Sequence, residues 1–134
     1  MPSSYTEVYF PVLVQAIIAI GLATVLITLS YVLGKKVRNR IKDMGLKMLA
    51  RPSDVSDSVT SVLVPEGIEA AALLALLNKE YDVVLAAGQG KLMGKIFRIG
   101  HLGLVEKADI DSALEALSSA LDRLGYKRPA ASTV

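Results

Sequence analysis

Two side chains in the run GQGKLMGKIFRIGHLG, residues 88–103, are suited to chemistry: Arg98 and His101. A guanidinium is planar, permanently charged and able to donate two parallel hydrogen bonds to one carboxylate, so an arginine near a glycine-containing turn is a candidate carboxylate grip. The pattern places Arg98 at a strand end, where it would project into a cleft. The same position also suits a surface strand arginine in a weak ion pair. His101 could serve as a general base only beside a serine, cysteine or carboxylate that completes a catalytic unit, and the neighbouring sequence offers none. Its simpler reading is a ring that bonds to backbone and shapes the turn. Gly88, Gly90 and Gly94 invite comparison with a phosphate-binding loop, but strands are expected on both sides and no helix N-terminus follows to supply a dipole. They read instead as tight-turn residues. Without cysteine the chain can form no disulfide, thiolate metal site or cysteine nucleophile, and its lone histidine excludes a multi-histidine metal site.

The elements that must position these residues lie after about residue 45. Ser58 to Val64 is β-branched and ends at Pro65-Glu66-Gly67, which marks a strand. Leu73, Leu76, Leu77 and Tyr81 recur at helical spacing after Ile68. Val83 to Ala86 reads as a strand, Gly88-Gln89-Gly90 as a turn and Lys95 to Ile99 as a paired strand. Ile110, Leu114, Leu117, Leu121 and Leu124 form an apolar stripe, with Asp109 and Asp111 at the favourable N-terminal end and Gly125 placed to close the helix. The order β-α-β-β-α predicts an α+β sandwich whose mainly antiparallel sheet carries both helices on one face. Lys127 to Val134 reads as a frayed tail.

The first third has a different solvent. Between Glu7 and Lys35 the only ionisable side chains are tyrosines, and Val12 to Leu33 is dominated by Leu, Ile, Val and Ala. About 20 such residues cross about 30 Å of hydrocarbon, so one transmembrane helix is expected. Pro11 fits its first turn, Tyr5, Tyr9, Phe10 and Tyr31 suit the interfaces, and the hydroxyls of Thr24, Thr28 and Ser30 can bond back to helix carbonyls. Gly21 and Ala23 could mark a helix-packing face. The basic cluster Lys35, Lys36, Arg38, Arg40 and Lys42 follows, available to lipid headgroups. It predicts a single pass with the N-terminus outside and the C-terminal domain cytoplasmic. Removing residues 1–34 should then leave a soluble fragment. The net charge of +2 is close to balanced and gives no reason to expect a nucleic-acid partner.

Two resemblances match this division. The stretch YFPVLVQAIIAIGLATVLITLSYVLGKKVRNRIKD, residues 9–43, resembles the first transmembrane helix of the A-type subunit of NADH:quinone oxidoreductase, respiratory complex I. That family continues with a Tyr-Glu-Cys-Gly loop and two further spans, and neither follows here. Residues 45–126, through VTSVLVPEGIEAAALLALLNKEYDVVLAAGQG and FRIGH, resemble the C-terminal small domain of class V pyridoxal-phosphate aminotransferases of the serine/alanine–glyoxylate branch. The organisation is thus a transmembrane helix with a basic segment (1–43), an aminotransferase-like small domain (44–126) and a tail (127–134), joined as in a fusion or chimera. The resemblance implies that Arg98 holds the substrate α-carboxylate. In that family the Schiff-base lysine belongs to the large domain, so Lys79, Lys91 and Lys95 do not occupy its place and the chain is not self-sufficient as a transaminase. No catalytic residue, cofactor-binding residue or metal ligand is assigned. Pyridoxal phosphate is expected only if a large-domain chain completes the site. The expected partners are the lipid bilayer of the inner membrane and either such a chain or the membrane subunits of complex I.

Overall fold

The computed structural model describes residues 4–103 and 105–129. Helix α1 (Tyr5–Asp43) is followed by β1 (Val59–Leu63), α2 (Ala70–Tyr81), β2 (Ala86–Ala87), a 3-10 turn over Gly90–Leu92, β3 (Ile96–Gly100) and α3 (Lys107–Arg123). At about 1.5 Å per residue α1 is roughly 58 Å long, and it is long and apolar enough to cross a membrane. Its first residue is Tyr5, so Pro11 lies inside the helix and not in its first turn. The missing N–H leaves the Glu7 carbonyl without its intrahelical donor, at a level where the helix is open to its surroundings.

The three strands pair antiparallel in the order β1-β3-β2, with Val62 opposite Phe97 and Thr60 opposite Ile99. Alternation sends Thr60, Val62, Phe97 and Ile99 to one face. Leu73 and Leu77 of α2 and Ile110, Leu114, Leu117 and Leu121 of α3 bury against that face, as the α+β reading requires. The core has a third helical contributor. Leu33, Val37, Ile41 and Met44 are buried in the same cluster, and Ser30 and Gly34 continue that stripe toward the N-terminus. The C-terminal third of α1 is therefore a core element of the sheet domain, continuous with the apolar helix before it.

Both long helices that bound the core end alike. Gly45 and Gly125 have φ of +75° and +82°. Leu46 and Tyr126 donate their N–H groups to Ile41 and Leu121, and Gly45 and Gly125 donate to Lys42 and Asp122. This is the paired-bond ending that glycine permits at the position after a C-cap. The Tyr126 hydroxyl then ties the two ends together through the Gly45 carbonyl at 3.1 Å. The start of the tail is folded back, with Arg128 bonded to Ser118 and Asp122; residues 130–134 lie outside the described residues.

β2 is shorter and later than the expected strand. Asp82 takes a left-handed conformation with φ of 53°, and the Val83 N–H bonds back to the Leu77 carbonyl, so Val83 to Leu85 are occupied in leaving α2. The connection to β3 runs over residues 88–95. A Cβ at Gly88 would collide with the Leu92 carbonyl oxygen, which is why a glycine stands there.

Candidate functional site

Arg98 is the third of five residues in the central strand, paired with Ser61 on one side and Ala86 on the other. The strand runs on to Gly100, so Arg98 is mid-strand and not at the expected strand end. It occupies the sheet face opposite Phe97 and Ile99, the face without helices, and is half-buried. Its Nε–H donates to the Ala87 carbonyl at 3.2 Å, which fixes the guanidinium against the edge strand. The two terminal nitrogens make no hydrogen bond among the described residues.

Arg98 and His101 do not converge. Three residues apart on an extended chain, they fall on opposite faces, and His101 is buried on the core side. Its Nε2 lies 3.0 Å from the Thr60 hydroxyl, and its backbone N–H donates to the Ser58 carbonyl at 2.9 Å. The ring lies against Gly34 of α1: a Cβ there would sit 2.6 Å from Cε1. Nδ1 is buried without a hydrogen bond among the described residues. Burial, and secondarily the positive charge of Arg38, hold the imidazole below its ordinary pKa, against opposing backbone groups of Ser30, Asp57 and His101 itself. The turn-shaping reading is thus extended: His101 is the contact on which the long helix seats.

Other polar groups reinforce this seat. The Ser30 hydroxyl donates to the Asp57 carbonyl instead of back along its own helix, unlike Thr24 and Thr28, which bond to Ile20 and Thr24. Arg38 donates to the Ser56 carbonyl at 3.1 Å and lies 4.0 Å from the Asp57 carboxylate. Lys36 pairs with Asp111 of α3 at 2.5 Å, which lowers the Asp111 pKa chiefly by that hydrogen bond. Two members of the basic cluster therefore hold the domain, while Lys35, Arg40 and Lys42 remain exposed. Sequence reading missed this role for Ser30, Gly34, Arg38 and Lys36. The available signal was the spacing of Leu33, Val37, Ile41 and Met44, an apolar stripe that persists among the charges.

A cleft of about 700 Å³ lies at the other end of the sheet, lined by Gly45, Lys47, Pro65, Glu66, Lys95 and Tyr126 among others, and Arg98 is not on it. A cofactor aldehyde requires a lysine positioned in a protected site, with its reactivity set by its surroundings. Lys79, Lys91 and Lys95 are all exposed on the surface, so these residues do not fit pyridoxal phosphate by themselves. No cluster of three metal-ligating side chains occurs among the described residues.

The chain thus consists of a three-stranded antiparallel sheet with its helices and a long apolar helix that runs into its core, and comparison with known proteins divides it into similar parts. No family model matches the chain. It is 73% identical over 44 residues, a third of each chain, to the A-type subunit of the NADH-quinone oxidoreductase of Solibacter usitatus. It is 44% identical over 89 residues to the soluble hydrogenase small subunit of a Synechococcus strain, covering 66% of this chain and 23% of that one. It is 40% identical over 90 residues to serine–glyoxylate aminotransferase of Hyphomicrobium methylovorum, covering 66% and 22%. The crystal structure of ureidoglycine-glyoxylate aminotransferase from Bacillus subtilis superposes with a TM-score of 0.72 at 28% identity, over 76% of this chain and 27% of that one. That coverage exceeds the two thirds of the chain beyond Asp43, so the superposed fold takes in part of α1. Homologues thus include class V serine/alanine–glyoxylate aminotransferases and the A-type subunit of complex I, and the chain spans about a quarter and a third of their respective lengths.

Proposed function

We propose that this chain is a membrane-tethered aminotransferase-type small domain, incomplete as an enzyme, whose Arg98 contributes a substrate-carboxylate grip when a large-domain chain supplies lysine and pyridoxal phosphate. The observation that carries the reading is the state of Arg98. It is fixed by one bond to Ala87, retains two donor nitrogens, and stands on the helix-free face of a sheet whose fold superposes on an aminotransferase. An arginine held this way is pre-organised for a planar carboxylate. The tether is α1, placed in the inner membrane with its N-terminus outside and the sheet domain on the cytoplasmic side, as the cluster from Lys35 to Lys42 favours.

Binding of glyoxylate or serine, titrated with the chain alone and with a class V large domain, tests the proposal. With the partner, Arg98→Lys should weaken the acid by roughly tenfold or more, because a hydrogen bond to a charged group is worth about 1.5–3 kcal/mol and an ammonium cannot reproduce the fork. Equal affinity of wild type and variant in a competent complex would remove Arg98 from the site.

The 73% identity to the complex I protein supports a second reading, in which α1 packs into a respiratory membrane assembly and the sheet domain is an appendage. Copurification with complex I membrane subunits, retained after Arg98→Lys, would favour it over the first.

A further inference from the structure

We propose that the Gly100 end of the sheet rests directly on the bilayer surface, with Leu102, Val59 and Val84 as shallow apolar anchors among the lipid headgroups. The inference rests on α1 crossing the membrane. Given that, the position of the domain is set by where its contacts begin. Asp57 and His101 close over Ser30 and Gly34, which belong to the end of the apolar run and not to a linker beyond it. Tyr9 to Leu29 already supplies the roughly 20 residues that a bilayer core needs, so the next turn of the helix falls at the interface. Because α1 is one helix through Asp43, the sheet domain cannot swing away from that level without losing its own core.

The surface presented there suits the position. Val59 pairs with Gly100 and is 37% exposed, and Leu102, just beyond β3, is 57% exposed. Val84 is 78% exposed and lies two residues before Ala86, the partner of Arg98, where the chain enters the antiparallel edge strand from the Gly100 side. All three mark one end of the sheet. Lys35 is exposed on the same stretch of α1, where its ammonium can reach lipid phosphates, while the nearby Asp57 carboxylate faces Arg38. Met93, 70% exposed, lies beyond the opposite end of β3, roughly 16 Å or more away at about 3.3 Å per residue.

The sequence contains no tryptophan, so single-tryptophan variants of the full chain report position without background. In phosphatidylcholine vesicles containing lipids brominated either deep in the acyl chain or near the headgroup, Ile20→Trp should be quenched most by the deep bromines. Leu102→Trp and Val84→Trp should be quenched most by the shallow ones, several-fold more than Met93→Trp, which should respond to neither. If Ile20→Trp is quenched while the variants at 102 and 84 behave like the one at 93, surface contact is overturned and the span stands. If Ile20→Trp itself is not quenched, the span fails and the surface contact with it.

Discussion

His101 carries its proton preference through its surroundings, and that makes it a source of pH-dependent stability. Its pKa in the folded chain lies below the ordinary 6.5, so between those two values the unfolded chain binds more protons and stability rises with pH. The contribution is complete above about pH 6.5 and is lost as the pH falls through the folded value. Asp111, held below its ordinary 3.8 by Lys36, titrates beneath that window and does not confuse it. Thermal unfolding in detergent should therefore show a midpoint that falls from about pH 7.5 to pH 5, and His101→Gln should flatten that dependence. An unchanged slope in the variant would assign the effect to another group. The burial behind this behaviour was not legible in the sequence. The glycines around His101 pointed to a turn, whereas the contact that encloses the ring comes from Gly34, 67 positions earlier in the chain. Arg98 was legible as a residue type, but its mid-strand register depended on how far β3 continued.

Among the elements, α3 was readable because its stripe alternates with charge on the opposite face, and β1 because five residues with alternating burial follow a β-branched pattern. Helix α1 hid its second role for a physical reason. Lipid and protein core select the same apolar residues, so the buried positions Leu33, Val37 and Ile41 read as a continuation of the apolar run, while the charges that begin at Lys35 suit lipid headgroups as well as a protein surface. Two glycines separate these environments by experiment. A Cβ at Gly21 meets nothing within 4 Å, whereas one at Gly34 would approach His101 at 2.6 Å and Arg38 at 2.9 Å. Arg38 can move, but the enclosed imidazole cannot do so without leaving Thr60. Gly34→Ala is expected to destabilise the sheet domain by about 1–3 kcal/mol, the usual cost of overpacking, despite the better helix propensity of alanine. Gly21→Ala should leave that domain's chemical unfolding curve unchanged. Equal effects of the two substitutions would mean that α1 is not seated on the sheet as described.

At the scale of the whole molecule, the join between the two resemblances is not a hinge. Ile41, from the stretch like the complex I protein, and Leu46, from the aminotransferase-like stretch, are both buried at the same helix ending, and the core extends back along α1 to Leu33. A sequence cut after residue 34 looks like the removal of a membrane anchor, but it also takes away Ser30, Leu33 and Gly34 and opens His101 to water. The consequence can be measured with three fragments. Residues 30–134 retain the full buried stripe and should unfold cooperatively in urea. Residues 35–134 should unfold at lower urea, because Leu33 and the cover over His101 are lost. Residues 44–134 also lose Val37 and Ile41; fully burying an apolar side chain contributes about 1.5–3 kcal/mol, so the three together amount to roughly 5–9 kcal/mol. That is comparable with the entire stability of an ordinary domain, about 5–15 kcal/mol, and this shortest fragment should show no cooperative transition. A sharp transition in residues 44–134 at the midpoint of residues 30–134 would mean that the sheet domain is self-sufficient and that α1 merely lies beside it.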